Sequence, residues 1–331
     1  MTMPGLVVRK DNGELKWYRF FNRGSQYTFY PSKEHGQPET GKKVGQGFNL
    51  VKYLPGYWMS DVSQREKKRI GGGNSLIALE KDGALKYFPF VGESFMVHDS
   101  GRTVGKGFSA DWDYVVAEWT GSGKSDLLVR DDQGRLRLFV WNGREFTDLG
   151  GQEKVGDGFD KSRFTHFLPG YWTGRSVPDL VVREKDGDLF LYPFDGKSFK
   201  DQGKPRKIGA GFDNDFTHYW VDEWMGHGLP DLVVRHKNGN LIRYPYGRKR
   251  KDGELVFDDP PYLTVGKGFK DKWTYCVGHW RNPGRPDLIV CDDDHRMRFY
   301  PFDGNTFMEL PEDQKIVGRD WEFTHFWDFY T

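Results

Sequence analysis

Hydrophobic and polar positions along the chain follow a unit that recurs about every fifty residues. In its clearest copy, the apolar run Leu180–Val182 precedes a turn at Asp186-Gly187, and an alternating strand, Leu189–Phe194, follows the turn. An apolar run, a tight turn and an alternating strand together indicate a β-hairpin. Each unit is therefore predicted to form a small antiparallel sheet.

The unit recurs six times along the chain. A second clear copy covers Pro230–Tyr246, and weaker copies start at Gly5, Ser75, Ser125 and Pro286. A Gly-x-Gly-Phe signature closes most copies, and the sixth degrades to Val-Gly-Arg-Asp-Trp. Self-similarity at this period is typical of a propeller or another repeat fold. The signature ends at Phe48, Phe108, Phe159, Phe212 and Phe269.

A further strand lies between successive units, as in Phe164–Trp172 and Phe216–Trp224, which makes four strands per blade. The chain starts at a second-strand motif, Leu6–Arg9, and stops after an unpaired first strand, Phe323–Trp327. The two ends must complete one blade together, which closes the ring and removes exposed sheet edges. The predicted fold is all-β, a single six-bladed β-propeller with four antiparallel strands per blade. Blade 1 combines residues 323–331 and 5–48, and the others span 49–108, 109–160, 161–213, 214–270 and 271–322.

The charge balance narrows the class of partner. Lys plus Arg number 49 and Asp plus Glu number 48, so no global field attracts nucleic acid or an anionic membrane surface. No apolar stretch approaches the roughly 20 residues needed to span a bilayer. We expect a neutral carbohydrate or small-molecule ligand and a monomer or small homo-oligomer, either in the cytoplasm or secreted with its leader removed.

The chain has two cysteines, Cys276 and Cys291. In the hairpin register that sets Trp280 opposite Asp287, they face each other. This register allows a disulfide, and two reduced core thiols are the alternative.

Three residue types recur in most blades, which predicts architectural roles. A buried Asp accepts backbone N–H bonds in a tight loop, an Arg bonds carbonyls or bridges sheets, and a Trp packs between blades. The residues are Asp126, Asp179, Asp231 and Asp287; Arg9, Arg130, Arg183 and Arg235; and Trp58, Trp119, Trp172, Trp224 and Trp280.

The segment Trp119–Val129 resembles the FG-GAP or VCBS repeat, found in integrin α-chain propellers, in fungal and bacterial sugar-binding propellers and in some polysaccharide lyases. Many members of that family hold Ca²⁺ in the loop after the first strand through several Asp or Asn oxygens. The best loop here has one carboxylate at each end and hydroxyls between them. We expect no cofactor, with calcium in this loop as the alternative. Its residues are Glu118, Thr120, Ser122 and Asp126.

One position varies among otherwise similar blades, at the start of the first strand. Six polar side chains there are predicted to converge near one mouth of the central channel, above a layer of aromatic rings. They could act as acids and bases, contact a ligand or bind a transition metal. The alternative is that Phe-Thr-His is repeat consensus, with each His bonding a loop carbonyl. The polar residues are Lys52, Asp113, His166, His218, Thr274 and His325, and the aromatic residues are Tyr53, Tyr114, Phe167, Tyr219, Tyr275 and Phe326.

Further ligand contacts are predicted on the same strands at Trp220 and Trp327 and, in a second variable position, at Glu118, Glu223 and His279. The two glutamates are either acid–base carboxylates or relics of a calcium motif that now bond the loop.

Two hypotheses of function follow. The favoured one is a lectin-like binding module that stacks neutral sugars on aromatic rings. The other is a cofactor-independent lyase or cyclase in which His166, His218 and His325, with Asp113, Lys52 and Tyr114, move protons on a polysaccharide or an aromatic or terpenoid product. The sequence has no nucleophile motif, phosphate loop or cofactor fingerprint, so it specifies no reaction.

Overall fold

The computed structural model describes residues 4–23, 26–30, 41–59, 73–91, 94–95, 101–148, 154–199, 205–249, 255–257, 262–282 and 285–330. Regular structure in these ranges is almost entirely β-strand. No helix within them is long and apolar enough to cross a membrane. They form two compact units, one with blades 1, 2 and 6 and the other with blades 3, 4 and 5.

The first three blades are built from consecutive strands. Blade 1 contains β1 (Pro4–Arg9), β2 (Leu15–Arg23), β3 (Gln26–Tyr30) and β4 (Lys42–Gly45). Blade 2 contains β5 (Lys52–Gly56), β6 (Ser75–Leu79), β7 (Leu85–Val91), β8 (Ser94–Phe95) and β9 (Arg102–Gly105). Blade 3 contains β10 (Asp113–Ala117), β11 (Asp126–Arg130), β12 (Leu136–Trp141), β13 (Phe146–Asp148) and β14 (Lys154–Gly156).

The remaining blades follow the same order. Blade 4 contains β15 (Phe164–Gly170), β16 (Asp179–Glu184), β17 (Leu189–Tyr192) and β18 (Arg206–Gly209). Blade 5 contains β19 (Phe216–Asp222), β20 (Asp231–His236), β21 (Leu241–Tyr244) and β24 (Leu263–Gly266), with a ribbon of β22 (Tyr246–Lys249) and β23 (Leu255–Phe257). Blade 6 contains β25 (Thr274–Asn282), β26 (Arg285–Cys291), β27 (Met297–Tyr300), α1 (Glu312–Lys315) and β28 (Ile316–Gly318), and β29 (His325–Tyr330) follows it.

The C-terminal strand completes the first blade. β29 pairs antiparallel with β1, with Trp327 opposite Val7 and His325 opposite Arg9. The sheet order is β29-β1-β2-β3, with β4 also paired to β2, and each other blade repeats this antiparallel order. The prediction of an all-β, six-bladed β-propeller with four antiparallel strands per blade, closed by the C-terminal strand, is confirmed.

The Gly-x-Gly-Phe signature forms a tight turn at the end of each blade. Its second glycine has a left-handed backbone, as at Gly211 with φ of 80°, which glycine adopts without steric cost. The degraded sixth copy makes the same turn with Asp320 at φ of 58°. Aspartate tolerates this region better than most residues, which explains how the copy keeps its geometry without the glycine.

The recurring tryptophans pack between neighbouring blades of one unit. Trp172 of blade 4 lies edge-on to Tyr246 and Phe257 of blade 5, with ring centroids 5.1 and 5.7 Å apart. Trp119 contacts Phe194 of blade 4 in the same way at 5.9 Å. Trp119 and Trp172 are fully buried, so their predicted role between blades is confirmed.

The predicted register of the cysteine hairpin is wrong by two residues. Cys276 lies opposite Ile289, and Cys291 lies opposite Thr274. Asp287 pairs with Gly278, because the strand is irregular between Gly278 and its end. Both cysteines are buried free thiols, and burial raises the pKa of each of them.

Candidate functional site

The variable first-strand position lies directly opposite the recurring arginine of the second strand. An Asp or a His occupies it in every blade that has this arginine. Where the second strand instead carries Leu79 or Cys291, the position is Lys52 or Thr274. The identity of this residue therefore follows the charge of its cross-strand neighbour. The arginine pairs are Asp113 with Arg130, His166 with Arg183, His218 with Arg235 and His325 with Arg9.

The arginine ties the end of its blade to the blade's second strand. Arg183 Nε donates to the carbonyl of Phe212 at 2.5 Å, and Arg235 Nε donates to that of Phe269 at 2.9 Å. Each of these phenylalanines ends a Gly-x-Gly-Phe turn. Because Arg183 and Arg235 are only 2% and 3% exposed, their charges need such partners. The predicted architectural role of the arginines is confirmed.

Asp113 is held by an ion pair. Its Oδ2 accepts from Arg130 Nε at 2.7 Å and lies 2.6 Å from Nη2. The same guanidinium lies over the ring of Phe167 in blade 4, 4.4 Å from the centroid. Tyr114, the next residue, donates its hydroxyl to the carbonyl of Ser109 at 2.7 Å, and burial raises its pKa. These contacts engage Asp113 and Tyr114 within the fold.

His166 and His218 each bond the threonine that precedes them. Nδ1 of His166 lies 3.0 Å from Thr165 Oγ1, and Nδ1 of His218 lies 2.9 Å from Thr217 Oγ1. The sequence hypothesis gave these threonines no role, although the threefold repetition of Phe-Thr-His was a usable signal.

The same arginines donate to these two threonine hydroxyls. Arg183 Nη1 donates to Thr165 at 2.7 Å, and Arg235 Nη1 donates to Thr217 at 2.8 Å. Two blades thus contain an Arg–Thr–His chain.

The surroundings of the three histidines keep them uncharged near neutral pH. Burial lowers the pKa of His166 from 6.5 to about 4, and the positive charge of Arg183 and the nearby ring of His218 act in the same direction. Burial and Arg235 lower the pKa of His218, and burial and Arg9 lower that of His325. A neutral imidazole offers one N–H donor and one acceptor nitrogen.

Two of the predicted aromatic residues contact the histidine of the preceding blade. The ring of Tyr219 lies 4.4 Å from that of His166, and the ring of Tyr53 lies 5.1 Å from that of His325. Burial raises the pKa of Tyr219 to about 12. The hydroxyl of Tyr53 donates to the carbonyl of Phe48 at 2.6 Å.

The remaining two residues of the predicted aromatic layer are Phe326 and Tyr275. Phe326 lies edge-on to Phe323, with centroids 4.7 Å apart. Tyr275 is half-buried on β25, opposite Val290.

The two first-strand tryptophans differ in exposure. Trp220 stacks on His218, with centroids 5.6 Å apart and an interplanar angle of 23°, and is half-buried. Trp327 is 7% exposed and stacks on Tyr53 at 5.9 Å. Blade 4 has the buried aliphatic Leu168 at the same position. Trp220 is therefore the better placed of the two tryptophans to meet a ligand.

The second variable position serves its own loop. Oε1 of Glu118 accepts from the amide of Gly123, and Oε1 of Glu223 accepts from the amide of Gly228, both at 2.5 Å. These bonds support the alternative in which the glutamates brace the loop. His279, at the same position of blade 6, is buried.

The recurring aspartate of the loop accepts backbone amides, as predicted. Oδ2 of Asp126 accepts from the amide and hydroxyl of Thr120 at 3.0 and 2.8 Å, and Oδ1 accepts from the amide of Trp141 at 2.9 Å. Asp179 repeats this arrangement with Thr173 and Phe194. The architectural role of this residue is confirmed.

In three blades, a cationic side chain of the protein contacts this aspartate. Arg175 Nη2 lies 2.6 Å from Asp179, and Arg281 Nη2 lies 2.8 Å from Asp287. In blade 5, Arg243 Nη1 lies 3.6 Å from Asp231 Oδ2, and the imidazole of His227 also contacts this carboxylate, with Nε2 3.3 Å from Oδ1.

The described part of blade 3 brings no cationic side chain onto Asp126. Burial raises the pKa of Asp126 to about 6, against the effect of the bonds from Trp141 and Thr120. The blade-3 carboxylate is thus the one whose charge is least compensated among these four loops.

Within the described ranges, no group of three or more His, Cys, Asp or Glu side chains is placed to hold a metal ion. In the candidate calcium loop, Glu118 and Asp126 already accept hydrogen bonds, and Ser122 Oγ accepts from the amide of Lys124 at 3.2 Å. Thr120 bonds Asp126. The side-chain oxygens that were candidates to coordinate calcium are therefore engaged in hydrogen bonds of the loop itself.

Comparison with known proteins identifies the fold. No family model and no curated protein match the sequence, so the FG-GAP or VCBS resemblance stays a prediction. A solved structure with the same fold is that of an Agrocybe aegerita lectin that specifically recognises non-reducing terminal N-acetylglucosamine. The two chains are 16% identical with a TM-score of 0.57, and the match covers 100% of this chain and 85% of the lectin chain.

Replacing Ser122 by Arg should stabilise the protein above pH 6. Ser122 precedes Asp126 by four residues, as Arg175 precedes Asp179. Because the folded pKa of Asp126 is about 6, the stability it contributes is present below pH 4 and lost as the pH rises through 6. A cation should restore on the order of 1 kcal/mol at pH 7.5, after allowance for solvent screening. Urea unfolding at pH 5 and 7.5 measures this.

Arg175→Ser is the matched reverse variant. It should destabilise blade 4 at pH 7.5 by a similar amount, on the order of 1 kcal/mol. Equal effects of Ser122→Arg at both pH values would contradict the assignment of an uncompensated charge to Asp126.

The ring of His166 should titrate with a midpoint of about 4. Because the folded pKa is lowered, the stability this histidine contributes is present above pH 6.5 and lost as the pH falls through 4. Imidazole proton shifts recorded from pH 7.5 to 3.5 measure the midpoint, with the resonance assigned through His166→Ala. A midpoint at or above 6.5 would show that burial and Arg183 do not act on this ring.

Proposed function

We propose that this protein is a carbohydrate-binding protein with lectin-like activity. The observation that carries the proposal is the likeness in fold, over the whole chain, to a lectin that recognises terminal N-acetylglucosamine. The near-zero net charge of +1 fits a neutral ligand. Glycans ending in N-acetylglucosamine are therefore the first to test.

We place the binding surface on the first strands of blades 4 and 5. His166 and Tyr219 meet there, and His218 stacks on Trp220 a short distance along the chain. All four side chains are half-buried, so each combines a fixed position with an open side. Aromatic faces pack against the C–H groups of a sugar, while imidazole and phenol groups bond its hydroxyls.

The enzymatic alternative has less support from these contacts. Its candidate acid–base groups include Asp113 and Tyr114, which bond Arg130 and Ser109. His166 and His218 are occupied at Nδ1 by threonines. The solved structure with the same fold that is described above is a lectin.

Trp220→Leu should weaken glycan binding by about fivefold or more, because the loss of one stacked aromatic ring costs about 1 kcal/mol or more. Leucine is the residue that blade 4 has at this position, Leu168, so the fold should accept it. A glycan array followed by titration calorimetry on the best ligand measures the effect.

Tyr262→Leu is the matched control. Tyr262 is an aromatic residue of the same blade that is 56% exposed and lies outside the proposed surface, so its loss should leave affinity unchanged. Glycan binding that survives both Trp220→Leu and His166→Ala would move the site elsewhere on the protein. An array without any bound glycan would overturn the proposed function.

A further inference from the structure

In the Arg–Thr–His chains, the direction in which the threonine hydroxyl donates its hydrogen decides which imidazole nitrogen carries a proton. A hydroxyl has one donor and two acceptor positions. Arg235 Nη1 uses one acceptor position of Thr217 at 2.8 Å. The hydroxyl hydrogen then needs an acceptor of its own. Among the described contacts of Thr217, the acceptor for this hydrogen is Nδ1 of His218 at 2.9 Å.

Blade 4 offers the hydroxyl hydrogen two acceptors. Thr165 Oγ1 lies 3.0 Å from Nδ1 of His166 and 3.4 Å from the carbonyl of Arg183. The shorter contact is the stronger hydrogen bond. The donation from Arg183 at 2.7 Å also polarises the hydroxyl and makes it a better donor. The geometry therefore favours donation from Thr165 to the imidazole nitrogen.

We infer that the Arg–Thr–His chains hold His166 and His218 as Nε2–H tautomers, and that the Nε2–H group of His166 is a hydrogen-bond donor for an uncharged oxygen of the ligand. An imidazole whose Nδ1 accepts a hydrogen bond carries its own proton on Nε2. No described residue accepts a hydrogen bond from Nε2 of His166, although the ring is half-buried. The ligand class rests on the proposed function, whereas the tautomer does not.

The preference for an uncharged oxygen follows from the arginines. Arg183 donates to Phe212, Thr165 and Asn214. Arg235 donates to the carbonyl of Phe269, to Thr217 and to Asp271. Guanidinium groups with this many protein partners are poorly disposed to take a carboxylate, so the surface suits hydroxyl and acetamido oxygens better than uronic or sialic acids.

Two other histidines provide internal references. In blade 1, Arg9 Nη1 donates to the hydroxyl of Thr324 at 2.5 Å, and this hydroxyl lies 3.3 Å from the carbonyl of Arg9. Among the described contacts, none joins Thr324 to the ring of His325, so the third link of the chain is not formed there. Nδ1 of His295 lies 3.2 Å from the carbonyl of Trp321. A carbonyl only accepts hydrogen bonds, so His295 carries its proton on Nδ1.

The test is ¹⁵N NMR of the imidazole nitrogens of the full-length protein at pH 7, without ligand. His166 and His218 should show a protonated Nε2 and an unprotonated Nδ1, while His295 shows the reverse pattern. Thr165→Val and Thr217→Val remove the hydroxyl at nearly constant side-chain volume. Each should shift the tautomer population of its own histidine, whereas Thr324→Val should leave His166 and His218 unchanged.

Binding is measured separately, with a glycan that ends in N-acetylglucosamine. Thr165→Val should lower its affinity about three- to tenfold, the value of one hydrogen bond. Protonated Nδ1 at His166 and His218 would overturn the tautomer assignment, as would unchanged tautomers in the valine variants. Tighter binding of a uronic or sialic acid glycan would overturn the ligand class. Correct tautomers without any glycan binding would contradict the proposed function alone.

Discussion

Four of the six blades depend on one interaction, the hydrogen bonds that an arginine of the second strand donates to the turn that ends the blade. Arg183, at 2% exposure, would be very costly to bury without compensation. The fold supplies the carbonyl of Phe212, the hydroxyl of Thr165 and the amide oxygen of Asn214. These partners come from the start of the blade's first strand and from the turn that ends the blade. The Gly-x-Gly-Phe turn is thus an acceptor for the arginine as well as a change of direction.

This requirement reaches the candidate site through cross-strand pairing. The residue opposite the arginine must accept its charge, as Asp113 does, or be uncharged beside it, as His166 is. In blade 2, where Leu79 replaces the arginine, Lys52 becomes compatible. Part of the asymmetry of this position is therefore structural in origin. The proposed ligand would meet the exposed side of these same groups, where aromatic rings and a neutral imidazole in fixed positions offer directional contacts.

The sequence was sufficient for the fold because its signals are local and repeated. The hairpin turns, the signature Gly-x-Gly-Phe and the incomplete blade at the two ends predict the strands and their closure. The register of β25 and β26 was not predictable in the same way, because the irregularity after Gly278 leaves no mark in the pattern. The contacts of the candidate site were less predictable from the sequence than the fold. The Thr165 and Thr217 contacts depend on which side chains lie opposite each other, and only pairing of the strands shows that.

The loops after the first strands show how one structural problem is solved differently in each blade. Blades 2 to 6 have a side-chain acceptor for backbone amides at the position of Asp126. Blades 4 and 6 pair their carboxylate with an arginine of the same loop. Blade 2 avoids the charge with Ser75, whose hydroxyl accepts from the amide of Trp58 at 3.2 Å. Blade 1 has Gly5, where a Cβ atom would come within 2.3 Å of the indole nitrogen of Trp17.

A metal ion is one way to neutralise a buried loop carboxylate, and guanidinium groups supply the same positive charge from within the chain. An arginine is always charged, so the loops of blades 4 and 6 are neutralised at any ion concentration. In these two loops, the charge that compensates the aspartate therefore comes from the protein itself. The contacts that hold these loops do not involve Trp220 or His166, so the loops should stay intact when the side chains of the proposed binding surface are changed.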